Sequence, residues 1–151
     1  MKREGDSSMI GFLIALCSGA LMSIQGVLNA GATKQSGVWL AAGFVQITAF
    51  VFCGVMYLCT ERETPVTKIW SVTPKYLLLG GILGALITIT VVKSISLLGT
   101  AHAELLIVCS QIIVAYVIEL LGLFGSEQAD FQWKKMFGII LFLVGIVLFK
   151  K

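Results

Sequence analysis

Charge is what this chain has least of. Only 13% of its residues are charged against 58% hydrophobic, and its mean hydropathy is +0.97. Soluble domains carry about 25% charged residues, so an ordinary soluble domain is excluded. No charged side chain stands between Asp6 and Lys34, or between Lys34 and Glu61. Each gap exceeds the ~20 residues that a helix needs to cross a bilayer. Histidine is reduced to His102, and Cys17, Cys53, Cys59 and Cys109 form no C-x-x-C pair. No metal-ligand cluster is therefore expected, and the thiols read as small hydrophobes. The sequence also has no Ser-His-Asp set, no Gly-rich phosphate loop and no H-E-x-x-H pattern. Neither enzyme chemistry nor a cofactor is expected. The net charge of +3 is scattered, which does not suggest a nucleic-acid partner.

What is present is a series of apolar runs. The opening "MKREGDSSMIGFLIALCSGA" has the outline of a secretory signal. However, Leu16 is bulky where a lipoprotein signal needs a small residue before Cys17, and the apolar stretch continues to Leu28. The pattern predicts an eight-residue N-terminal tail (1–8) and one transmembrane domain (9–151), with spans near 9–28, 38–58, 76–98, 101–123 and 136–149. All five must be helices, because backbone polar groups in lipid have to pair within their own segment and five strands cannot close a barrel. Pro65 and Pro74 mark the longest loop as non-helical. Trp39, Trp70 and Trp133 open spans as interfacial aromatics do, and Lys135 and Lys150 flank the short last span, where they can snorkel. The fold class is all-α integral membrane.

Five spans put the termini on opposite faces. One face collects Lys2, Arg3, Arg62, Lys68, Lys75, Lys134 and Lys135, and the other Lys34, Lys150 and Lys151. This count places the N-terminus in the cytoplasm. Acidic groups also sit on the first face, so the bias is moderate and compatible with insertion in both directions.

Polar side chains inside the spans are the candidates for function, since such groups usually face protein or water rather than lipid. At 100° per residue Ser18, Gln25 and Asn29 share one side of the first span. Gln46 lies in the second, Thr88, Thr90 and Lys93 in the third, and Glu104 and Gln111 in the fourth, with Glu119 one turn from its end. Four polar stripes imply a wet cavity or an interhelical hydrogen-bond network. For Lys93 and Glu104, on either side of the turn at Gly99, three readings stand. They form a structural ion pair, Glu104 exchanges protons or a cation with Lys93 tuning it, or Lys93 snorkels. Gly80 and Gly84 on the third span, and Gly138 and Gly145 on the fifth, are small-residue faces suited to close helix packing.

Three stretches carry a resemblance: "SIQGVLNAGATKQSG" (23–37), the long run 77–125, and "GIILFLVGIVLFKK" (138–151). Together they resemble the small YdcZ-like branch of the drug/metabolite transporter superfamily. The matching features are Gln25 and Asn29 four apart, the Gly80, Gly81 and Gly84 run, Ser110 followed by Gln111, and Glu119 before Gly122 to Gly125. Glu104 and Gln46 depart from the family pattern. The resemblance implies five-helix chains of the cell membrane that work as antiparallel pairs, either homodimers or with a paralogous five-helix partner. It also implies export of small molecules.

The resulting expectation is a secondary transporter using alternating access. Gln25, Asn29, Gln111, Glu104, Lys93, Ser18 and Gln46 would line its cavity. The substrate would be a small metabolite or amphiphilic cation, with possible proton coupling. The alternative is a non-transporting accessory or assembly subunit whose polar stripes bind partner helices.

Overall fold

Long apolar runs without proline leave the backbone one economical solution, and the chain takes it throughout. The computed structural model describes residues 2–149, and side chains from residue 9 onward. It contains α1 (Lys2–Ser36), α2 (Val38–Thr60), α3 (Gly80–Leu98), α4 (Thr100–Leu121) and α5 (Trp133–Phe149). Short 3₁₀ turns at Val66–Ser71, Lys75–Leu79 and Leu123–Gly125 link them, and no strand occurs among the described residues. Met1, Lys150 and Lys151 lie outside that range, as do the side chains of Lys2 and Arg3 on which the charge count leans.

Among the described residues, four helical segments are long and apolar enough to cross a membrane: Met9–Ser36, Val38–Thr60, Lys75–Leu98 and Thr100–Leu121. α5 has 17 residues, about 26 Å of helix at 1.5 Å per residue, slightly under the ~30 Å hydrocarbon core. The first helix is longer than its apolar run predicts, continuing from 28 to Ser36. The cause is local. Asn29, Lys34 and Gln35 are polar but do not break a helix, and the first residue that does is Gly37. In the other direction, α3 begins as α-helix only at Gly80, because Pro74 leads into a 3₁₀ turn.

The chain packs as two units, Met1–Lys93 and Ser94–Lys151. In the first, α1 packs against α2 across a corner of one residue. Gly37 takes φ 86°, ψ 158°, a region essentially reserved for glycine. Its N–H donates to the Thr33 carbonyl (2.9 Å) and its carbonyl accepts from Ala41 (3.1 Å). Ala30, Ala41 and Ala42 are buried around this corner, where small side chains let the helices approach. In the second unit, Gly99, just before α4, takes the same backbone conformation at φ 80°, ψ 158°. The Gly99 N–H donates to Ile95 (2.9 Å), and Ala103, fully buried, donates back to the Gly99 carbonyl (3.1 Å).

The second unit is completed by α4 and α5, which pack together. α4 stops at Gly122, which is left-handed (φ 61°) and donates to the Ile118 and Glu119 carbonyls. The last turn of a helix leaves carbonyls without partners. Here the following loop folds back to supply them: Ser126 Oγ donates to Ile118 (3.3 Å), Gln128 Nε2 to Leu120 (3.2 Å) and the Ala129 N–H to Glu119 (3.0 Å). The same fold-back brings Gln132, the first residue before α5, beside α4.

Little of this chain is buried within itself. No span buries more than 17% of its most apolar window, and side chains such as Phe50 and Leu97 are about four-fifths exposed (78% and 82%). Such a surface suits lipid or another helix and does not suit water.

Candidate functional site

Hydroxyls and amides behave differently in these helices. Ser18 Oγ donates to the Ile14 carbonyl one turn back (2.9 Å), Thr88 to Gly84 (3.0 Å), Thr90 to Leu86 (2.9 Å) and Ser110 to Ile107 (2.8 Å). Short hydroxyl side chains can satisfy themselves on their own helix in this way. Glutamine and asparagine cannot do so as readily, and they divide into two groups.

Gln46 is satisfied. Its Nε2 donates to the Gly81 carbonyl at 3.1 Å, tying α2 to the first turn of α3. Gly84 makes room for it, since a Cβ there would stand 3.2 Å from the same nitrogen. This half-buried side chain is therefore part of a helix contact. Gly80 has no such neighbour. Gln25 is exposed on α1 and Asn29, one turn on, is half-buried. In the second unit Gln111 is exposed at the middle of α4. None of these three amides has a hydrogen-bond partner among the described residues. Lys93 is exposed on α3, and Glu104 is half-buried in the second turn of α4.

A cluster that periodicity along single helices does not reveal lies at the other end of α4. Tyr116 is buried, at 7% exposure, and a buried tyrosine hydroxyl needs a partner. It finds one in the backbone of Gln132, whose N–H donates to the hydroxyl oxygen at 2.9 Å. Gln132 in turn accepts from Lys135 and Met136, opening α5. One turn further along α4, Glu119 accepts from Lys135 Nζ at 2.9 Å, with both side chains nearly half exposed. The same ammonium stands 5.3 Å from the centre of the Tyr116 ring, within the ~6 Å reach of a cation–π contact. Phe131 stacks edge-on against Trp133 at 5.1 Å and sits 6.4 Å from Tyr116. The two charges thus sit at the end of α4, with the ammonium against the Tyr116 ring.

A groove of about 380 Å³ runs from this cluster between α4 and α5. Glu119, Lys135 and Tyr116 form its polar end, and Ile112, Ile139 and Phe142 its apolar length. Gly138 lines it and has open space above its backbone, as does Gly145 further along α5. Gln111 is not among the lining residues. The sequence signals that could have found this site were a tyrosine inside an apolar run and a carboxylate one turn above a helix-ending glycine. The lysine was visible only as a flanking charge.

Among the described residues, no group of three or more histidine, cysteine or acidic side chains is placed to hold a metal ion. A family model described as "Putative inner membrane exporter, YdcZ" matches residues 10–148, which is nearly the whole chain. No curated protein and no solved structure matches it.

Proposed function

Because the chain belongs to the YdcZ family of inner membrane exporters, a multi-pass membrane family of transporters rather than enzymes, we propose that it is a small secondary exporter. It works by alternating access in an antiparallel pair of five-helix chains, with α5 as the fifth span. The observation that carries this reading is the exposure of Gln25 and Gln111 at mid-helix without a hydrogen-bond partner among the described residues. A bare amide against lipid is costly, and a single interhelical amide bond returns only about 1 kcal/mol. A second, inverted copy would turn these amides, with Asn29, toward a shared hollow near the midplane. Inverted-repeat transporters place their sites in this way. Glu104, in the second turn of α4, would be the proton-exchanging carboxylate at the mouth of that hollow. Small metabolites and amphiphilic cations are the solute classes that such a neutral, amide-lined hollow suits.

Two measurements test this. Single cysteines at Gln35 and Glu127, in a background without the native four, report opposite faces of the membrane. An antiparallel pair labels each reporter from both sides in comparable amounts, and labelling of each from one side alone rejects it. In proteoliposomes with an acidic interior, a panel of metabolites and organic cations should elicit proton release. Gln111→Leu and Glu104→Gln should abolish that release while the protein still inserts. A purified protein that moves no solute would instead fit an accessory subunit.

A further inference from the structure

The Lys135 ammonium does two things at once: it pairs with the Glu119 carboxylate at 2.9 Å and it stands over the Tyr116 ring at 5.3 Å. A carboxylate beside an aromatic face is the chemistry that recognises an organic ammonium. Lysine here fills a cation site from within the chain. Its hold is weak by construction, since both partners are nearly half exposed (42% and 47%) and such pairs contribute about 0–1 kcal/mol. Its four-carbon stem lets the ammonium swing to water without moving the backbone. Behind it, the groove continues as an apolar channel between α4 and α5, and its ~380 Å³ falls within the usual range of small-molecule sites.

We infer that Glu119, Tyr116 and the groove behind them form a binding site for an amphiphilic organic ammonium, with Lys135 as its built-in competitor. The ligand's cationic head displaces Lys135 from Glu119 and the Tyr116 ring. Its apolar tail lies along Ile112, Ile139 and Phe142. Glu119 is two residues from the end of α4 and Lys135 two from the start of α5, so the head would sit near the membrane surface with the tail directed inward. An amphiphile partitioned in a leaflet already has that orientation. Calling this ligand cargo rests on the exporter reading above, whereas the site itself does not.

The test uses the full chain in lipid nanodiscs and equilibrium binding of labelled octyltrimethylammonium, with octyl sulfate as the probe of opposite charge. Saturable binding of the cation and none of the sulfate is expected. Glu119→Gln should weaken binding at least tenfold. Lys135→Gln should tighten it several-fold, because the competitor is gone. Tyr116→Phe keeps the ring and should stay within about twofold. A purely structural ion pair would make both charge variants equally harmful, so weaker or unchanged binding by Lys135→Gln overturns the inference. Equal binding of octyl sulfate does the same. Discs with and without phosphatidylethanolamine separate the two sources of an ammonium head. Equal affinity supports a soluble cation, and loss of binding in the ethanolamine lipid means that lipid occupies the site and overturns the cargo assignment. Uptake of the same cation into proteoliposomes separates the site from the exporter reading. Binding without transport rejects the reading and leaves the site, while transport that survives Glu119→Gln rejects the site and leaves the reading.

Discussion

Replacing Gly99 by alanine should destabilise the second unit, and the structure fixes both the size and the cause. Gly99 sits at φ 80°, ψ 158°, where a side chain is strained whatever the space around it. A Cβ built there meets nothing within 4 Å, so no clash and no lost packing enters the balance. What remains is the backbone term, about 1–3 kcal/mol for a residue held in such a region, or roughly a 5- to 150-fold shift toward the unfolded state. Gly145 supplies the control, because it also has nothing within 4 Å but lies inside α5. Alanine there should gain about 0.5–1 kcal/mol, since glycine is a poor helix former. The same chemical change thus carries opposite signs at two open positions. Unfolding in mixed micelles with increasing dodecyl sulfate, followed by far-UV circular dichroism, reads both on one scale. If Gly99→Ala is as stable as the parent, the left-handed corner is not the constraint described here. Gly37→Ala repeats the experiment in the first unit and should give a loss of similar size.

Other substitutions probe separate joints. Gln46→Leu removes the donor to the Gly81 carbonyl and should cost about 1 kcal/mol, read in the same micellar titration. Gln46→Glu, which cannot donate when ionised, should cost at least as much. Ser126→Ala removes the second donor to the Ile118 carbonyl, which keeps the Gly122 N–H, and should raise amide hydrogen exchange at the end of α4 modestly, at no more than about 1 kcal/mol, with little effect at Gly37. A double-mutant cycle on Glu119 and Lys135 should return a coupling no larger than about 1 kcal/mol that shrinks as salt rises; a large, salt-insensitive coupling would mean the pair is dry.

The helical membrane character was legible from the charge-free gaps, because lipid leaves a backbone no alternative to a paired helix. The ends were less legible. The apolar run stops at Leu28, but the helix stops at Gly37, since hydropathy reports solvent preference and only the glycine changes the backbone. For the amides Gln25, Asn29 and Gln111, spacing along one helix is all that the sequence offers. Gln46 has a partner in Gly81 and a niche at Gly84 on α3, a relation between helices that periodicity does not encode. The Tyr116, Glu119 and Lys135 cluster was missed for a related reason. Its assembly depends on Ser126, Gln128 and Ala129 folding the loop back onto the last turn of α4, and only that geometry brings Lys135 to Glu119.

Depth sorts the polar groups of this chain by charge. Lys34 is in the last turn of α1, Lys93 is five residues from the end of α3, and Glu104 is four from the start of α4. Glu119 and Lys135 are each two residues from a helix end. Gln25, Gln46 and Gln111, by contrast, are well inside their helices. Ionised groups cost most at the bilayer centre, and amides cost less, so this distribution lets a wet hollow exist without a stranded charge. It also puts a carboxylate near each end of α4, fifteen residues apart and so about 22 Å along the helix. On the exporter reading, a cation crossing the neutral middle meets a carboxylate at both openings, and neither carboxylate holds it at mid-depth. Moving Gln111 to glutamate should therefore trap the cation. Binding should tighten while turnover falls, and a variant that binds tighter and still transports at the parental rate would refute the sorting by depth as a functional device.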